Sequence, residues 1–384
     1  MSSYSVRKTD QSKIVVALGM IVYSIGYLIR PSSVTNGRIA LIFFPQVIGC
    51  STEAQWLSLD FPVRLYTLIY NLLPFRLDSI YRWDVLIFII GLVSLFALGL
   101  HFTKRWALNL FQSCFFLAAY ALCGVYIFIF NKDVLQFFIY LIAFGILNSR
   151  FSQTLKVCLI SLVFIAESLV WRQYYIVLAA FLPLINYWLN DMAKSEQTKL
   201  KNFLSLYFKI LLFAFLFLTA LRLISFTNYQ TIVDKHGVDR ESYTATAAIS
   251  GIRSWIPVDS SSATPLVILN WAINFFRLLF PIELFRLGPY YWIFALYQLC
   301  LSIAAVRSLL SAAKGCSVDE NQIPVVALYF AFVICSALFE PDFGSWVRHE
   351  TASLPFLLLL ICYGYSSIKK PIKNYSSCER SVIA

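Results

Sequence analysis

The sequence predicts an all-helical polytopic membrane protein with about ten spans, ten to twelve depending on two interrupted runs, and two large outer loops. Three observations carry this. The 384 residues are 59% hydrophobic and only 13% charged, where a soluble domain is nearer one quarter charged. Apolar runs close to the ~20 residues a membrane helix needs recur along the whole chain. In lipid, backbone groups must pair within their own segment, so such runs are helices.

The first run, 14–30, follows a basic start (Arg7, Lys8, Lys13), as in a signal peptide. No small-x-small cleavage pattern follows, so it reads as an uncleaved span. The next runs are 84–101, 106–130, 133–149, 156–171, 173–189, 203–226, 289–307, 322–339 and 351–367. Two more, 38–50 and 265–285, are interrupted by Pro or Arg and read as interfacial or re-entrant segments. An even number of spans starting inside leaves both termini in the cytoplasm. The inner segments then carry Lys or Arg, as the positive-inside rule requires. The outer loops are about 31–83 and 227–288, and residues 1–384 form a single transmembrane domain.

Net charge is +11, and on this topology the outer side is rich in Arg rather than Lys. Arg presents a planar fork suited to carboxylate and phosphate, so the outer face reads as an anion site. The alternative is that these Arg residues snorkel, or pair with Glu53, Asp60, Asp78, Asp84 and Asp259. There is no Walker loop, G-x-G-x-x-G, H-E-x-x-H, nucleophile elbow or zinc spacing. No cofactor, metal, nucleotide or nucleic-acid partner is expected.

Three stretches stand out. Glu340–Pro341–Asp342–Phe343–Gly344–Ser345–Trp346–Val347–Arg348–His349–Glu350 lies between two apolar runs and reads as a tight polar turn, with Pro341 and Gly344 as breakers. Acid, base and aromatic residues in one turn point to a functional site; a capped turn with internally paired charges is the plainer reading. Glu167–Ser168–Leu169–Val170–Trp171–Arg172–Gln173–Tyr174–Tyr175 joins two spans with almost no loop. Arg172 either pairs with Glu167 or reaches into a cavity flanked by Trp171, Tyr174 and Tyr175. In the third, Asn270, Asn274 and Arg277 share one helix face until Pro281 stops it, facing either a phosphorylated ligand or water. Arg222, near the end of its span, snorkels or lines the same cavity.

The Glu340–His349 turn, Trp171–Arg172–Gln173–Tyr174–Tyr175 and Arg277–Leu278–Leu279–Phe280–Pro281 resemble segments of Wzy-type polysaccharide repeat-unit polymerases, bacterial membrane enzymes of O-antigen and capsule synthesis. The layout of spans and large outer loops is similar along the whole chain. The resemblance implies transfer of a glycan from undecaprenyl pyrophosphate onto a lipid-linked repeat unit, at the outer face of the inner membrane, without metal or nucleotide. It implies membrane lipids as surroundings, and a chain-length regulator and flippase of the same pathway as partners. On it, Arg172, Arg277 and Arg348 face the diphosphate, with Arg222, Asn274 and Asp342 beside the substrate. His349 and Glu340 are candidate bases, and Trp171, Tyr174, Tyr175 and Trp346 candidate sugar platforms. Two rival classes stay open: a polyprenyl-phosphate-dependent glycosyltransferase, which would need an acidic metal site in its first outer loop, and a flippase, which would need charges deep in its spans.

Overall fold

The computed structural model describes residues 2–30, 47, 60–73, 77–194, 199–234, 251–252, 255–256, 258, 261–313, 321–340 and 342–365. Among them helices joined by short turns make up the chain, no strand forms, and one isolated bridge joins Gly251 to Asp342. In chain order the helices are α1 (Ser2–Ile29), α2 (Phe61–Leu72), α3 (Ile80–Arg105), α4 (Leu110–Tyr126), α5 (Asp133–Leu147), α6 (Gln153–Val170) and α7 (Tyr175–Lys194). They continue with α8 (Lys199–Ile224), α9 (Phe226–Asp234), α10 (Thr264–Leu279), a 3-10 turn (Ile282–Arg286), α11 (Pro289–Ala313), α12 (Gln322–Phe339), α13 (Phe343–Ala352) and α14 (Leu354–Tyr365).

Each of the ten apolar runs overlaps a helix, but the last, 351–367, is broken at Ser353 between α13 and α14, and its residues 366–367 lie outside the described ones. Among the described residues, six helices are long and apolar enough to cross a membrane, in α3, α6, α7, α8, α11 and α12, and five shorter apolar helices accompany them. Of the two interrupted runs, 38–50 falls outside the described residues except for Val47. The other, 265–285, is α10 followed by the 3-10 turn.

The bundle is built around α12 and α14. Every residue of α12 from Gln322 to Leu338 is buried, and α14 is buried from Leu354 to Gly364. Helices apolar on all sides belong in the centre of a bundle. By contrast α8 turns Leu204, Phe208, Leu212, Leu216 and Leu223 outward, as a lipid-facing helix does. α1 crosses α4 at very close range: a Cβ on Gly124 would sit 2.3 Å from the Tyr23 carbonyl oxygen. Tyr23 and Tyr120 donate their hydroxyls to the Phe88 and Leu95 carbonyls of α3, at 3.0 and 2.8 Å.

The stretch after Glu340 departs from the tight turn expected of it. Residues 343–352 form the helix α13, because Asp342 caps it: its Oδ1 accepts from the Ser345 amide at 2.8 Å and its Oδ2 from the Ser345 hydroxyl at 3.1 Å. Gly344 sits in the first turn, where it does not end the helix.

Candidate functional site

The site is assembled at the end of the bundle that carries Glu340, and Asp133 lies at its centre. Asp133 opens α5. Asn131 caps that start, its Oδ1 accepting from the Asp133 and Val134 amides at 2.8 and 3.3 Å. The preceding turn is fastened from three elements. Tyr66 of α2 donates to the Asn131 carbonyl at 2.9 Å, Asp84 of α3 accepts from the Phe130 amide at 2.6 Å, and Arg30, just past α1, holds Asp84 at 2.8 Å. The backbone of Asp133 is thereby held by contacts other than those of its own carboxylate.

Three cationic or basic side chains from two distant segments surround its carboxylate. Arg172, in the turn between α6 and α7, places Nη2 2.7 Å from Asp133 Oδ1. On α13, Arg348 Nη1 is 4.0 Å from Oδ2 and His349 Nε2 is 3.8 Å from Oδ1. Arg348 and His349 are adjacent residues near the middle of α13. Glu340, the residue that ends α12, places Oε1 2.5 Å from the other imidazole nitrogen, Nδ1. An ionised carboxylate accepts there, which favours the tautomer with the proton on Nδ1, and Nε2 faces Asp133 and the guanidinium groups.

Burial grades these groups. The Asp133 and Glu340 side chains are 3% exposed, Arg172 5%, His349 15% and Arg348 30%. Arg172 is also braced by aromatic contacts. Its guanidinium lies 4.5 Å from the Trp171 ring centroid, and Nη1 donates to the Tyr174 hydroxyl at 3.2 Å. Arg348 is the most accessible cation of the set and the one farthest from the carboxylate. Lys132, beside Asp133, adds a further positive charge: burial and the Arg172 guanidinium pull its ammonium below the ordinary lysine value, against the opposing pull of Asp133 and Asp60.

The sequence-predicted residues divide accordingly. Arg172, Arg348, His349, Glu340, Trp171 and Tyr174 come together. Asp342 is the α13 cap, and its backbone pairs with Gly251, which falls between α9 and α10 in the chain. Tyr175 and Trp346 sit in the core: Tyr175 packs against Phe164 and Tyr140, and Trp346 stacks on Phe332 at 5.2 Å, with neither ring open to a sugar. Arg172 pairs with Asp133 rather than Glu167, whose carboxylate instead accepts from Gln136 at 3.4 Å. Arg222 donates to the Ser262 carbonyl at 3.1 Å and the Thr264 hydroxyl at 3.3 Å.

Asn270, Asn274 and Arg277 do share one face of α10, but that face is buried rather than wet. Arg277 is gripped by both oxygens of Glu283 at 2.7 Å and by Asn274 at 2.8 Å. α10 runs antiparallel beside α12, with Trp271 at Ile334 and Phe275 at Phe330. Phe330 is ~15 Å along α12 from Glu340 at about 1.5 Å per residue, so Arg277, two residues past Phe275, lies toward the Gln322 end of α12 and away from the Asp133 cluster. Elsewhere, Arg82–Asp78 at 2.8 Å and Arg30–Asp84 are the plain ion pairs expected of surface and rim Arg residues.

Asp133 and Lys132 belong to the cluster but to none of the three stretches that stand out in the sequence. Their signal is the polar triplet Asn131–Lys132–Asp133 between two long apolar runs. Glu350 is one of the charges of the Glu340–Glu350 stretch. It is fully buried, and neither of its carboxyl oxygens meets a hydrogen-bond partner among the described residues.

Fold and site together define an all-helical protein, with helices able to cross a membrane and a buried cluster of opposed charges at one end of the bundle. No family model, no curated protein and no solved structure matches the chain.

Proposed function

We propose that the protein is an oligosaccharide repeat-unit polymerase of the bacterial inner membrane, with the Asp133 cluster as its active centre at the outer face. It transfers a glycan from undecaprenyl pyrophosphate to a hydroxyl of a second lipid-linked repeat unit. The observation that carries this reading is the convergence of Arg172 and Arg348, 176 positions apart by subtraction of their numbers, on one carboxylate beside a His–Glu pair.

The chemistry follows from that arrangement. The bond broken joins the anomeric carbon of the donor glycan to a phosphate oxygen, and the leaving undecaprenyl pyrophosphate takes the electron pair. Guanidinium groups stabilise the charge that develops on it. Arg172 is anchored, so it sets position. Arg348, at 4.0 Å, exchanges Asp133 for a phosphate oxygen at little cost. The acceptor hydroxyl loses its proton to His349 Nε2 as the new glycosidic bond forms, and Glu340 holds the imidazole in that tautomer and stabilises the imidazolium. Trp171 and Tyr174 supply the aromatic faces nearest the cluster. The lipid diphosphate already activates the sugar, so neither nucleotide nor metal is required by this reading.

The test is Arg348→Ala in cells lacking the native copy. Lipid-linked single repeats accumulate and the long glycan disappears, while the protein remains in the membrane at normal abundance. A glycan ladder of normal length removes Arg348 from the reaction. Loss of all surface glycan, with no single repeat, points to an earlier step such as translocation.

A further inference from the structure

We infer that the groove between α10, the 3-10 turn and the start of α11 holds the phosphodiester headgroup of an anionic glycerophospholipid from the surrounding bilayer. The groove encloses about 890 Å³ and is lined by Trp255, Phe276, Arg277, Ile282, Glu283 and Arg286, with further apolar side chains from the same elements. Its composition matches a lipid in two parts. The walls are largely apolar, and Phe276 and Ile282 are 47% and 68% exposed, so acyl chains would find a continuous apolar lip opening outward. The polar end holds two guanidinium groups and one carboxylate.

That count decides the headgroup. Among the described residues, Arg277 and Arg286 contribute two positive charges and Glu283 removes one, which leaves a single positive charge along the groove. One phosphodiester, with one negative charge, balances it. A diphosphate would leave negative charge uncompensated in a low-dielectric setting, where this is costly. Arg277 is held by Glu283 and Asn274, which leaves exposed Arg286 as the group that meets the phosphate. Trp255 stands over Arg277, 5.4 Å from ring centroid to guanidinium carbon, and closes the polar end. Retaining a lipid here would brace the return of the chain from α10 to α11. The inference does not rest on the transfer reaction.

The experiment uses full-length protein in nanodiscs containing equal phosphatidylglycerol and phosphatidylcholine, followed by native mass spectrometry of the released protein. One phosphatidylglycerol is retained in preference to phosphatidylcholine. Arg286→Gln lowers that preference by roughly fivefold, the factor one basic residue contributes near an anionic lipid. Glu283→Gln adds net positive charge and shifts the preference upward. The opposite signs separate a charge effect from damage to the fold, which would lower both. Equal retention of the two lipids by the unaltered protein overturns the inference, as does an unchanged preference in Arg286→Gln. A polyprenyl diphosphate that displaces phosphatidylglycerol at equal concentration also overturns it, and assigns the groove to substrate instead.

Discussion

Asp133 offers the sharpest test of the site, because the structure contains its own control. Arg172–Asp133 and Arg82–Asp78 are ion pairs of nearly equal length, 2.7 and 2.8 Å. Their burial differs completely: the side chains are 5% and 3% exposed in the first pair, and 57% and 56% in the second. Truncating one partner of a buried pair strands the other charge and costs about 3–5 kcal/mol, whereas an exposed pair contributes about 0–1 kcal/mol. Asp133→Ala should therefore destabilise the protein by about 3–5 kcal/mol, since Arg172 loses its carboxylate and Arg348 and Lys132 lose a nearby counter-charge. Asp78→Ala should cost less than about 1 kcal/mol. The double variant Asp133→Ala with Arg172→Met removes both buried charges, so it should cost clearly less than the sum of the two single changes. The assay is reversible unfolding in mixed detergent micelles followed by circular dichroism. The reasoning fails if Asp133→Ala and Asp78→Ala cost the same, or if the double variant is simply additive.

Three further outcomes follow from the same coordinates. His349→Gln should slow transfer by about 10²–10⁴-fold with little change in substrate binding, since it removes the proton acceptor and leaves both guanidinium groups in place; a variant at the original rate ends the role of His349. Lys132 binds its proton less tightly in the folded protein than in the unfolded chain, so between those two values the unfolded chain holds more protons and stability rises with pH. The stability of the unaltered protein relative to Lys132→Gln should therefore climb as pH approaches ~10.4, and a gap that stays flat or narrows contradicts the burial of that ammonium. Gly124→Ala should cost about 1–3 kcal/mol, because the added Cβ meets the Tyr23 carbonyl oxygen at 2.3 Å and backbone cannot swing aside; a neutral result refutes so close an α1–α4 crossing.

Much of the fold is legible from apolar run length alone, because a helix surrounded by other helices or by lipid needs little else. α12, unbroken from Gln322 to Phe339, is the plainest case. The site is legible only in part. Arg172 and Arg348 stand out because a guanidinium at the edge of an apolar run needs an explanation. Asp133 does not: it begins a run that continues through Val134 and Leu135, and a single acid at a helix N-terminus is unremarkable by composition. Its importance arises from long-range packing that brings the α6–α7 turn and α13 onto it. The helical state of 343–352 is obscured by Pro341 and Gly344, which read as breakers. Pro341 lies outside the described residues, and Gly344 falls in the first turn after the Asp342 cap, where it does not interrupt the hydrogen-bond ladder. The shared face of Asn270, Asn274 and Arg277 follows from helical period. Its burial, and the grip of Glu283 on Arg277, depend on the chain doubling back after Pro281.

The looseness of one cation in the Asp133 cluster separates a structural network from a site prepared for an anion. A network that only stabilised the fold would hold each charge tightly and bury the pairs deeply. Arg172–Asp133 fits that description. Around them, Glu340 is taken by His349, Lys132 is shared between Asp133 and Asp60, and Arg348 stands 4.0 Å from the Asp133 carboxylate, the most exposed of these paired side chains at 30%. Preorganised positive charge costs folding energy, and it is recovered when an anion arrives and the cation need not reorganise. Asp133 then acts as the counter-charge that keeps the guanidinium groups together in the empty site, and the ligand competes with it for Arg348 rather than for Arg172. An anion that bound by displacing Arg172 would have to break the 2.7 Å pair and its aromatic brace, so the exchange through Arg348 is the lower-energy route.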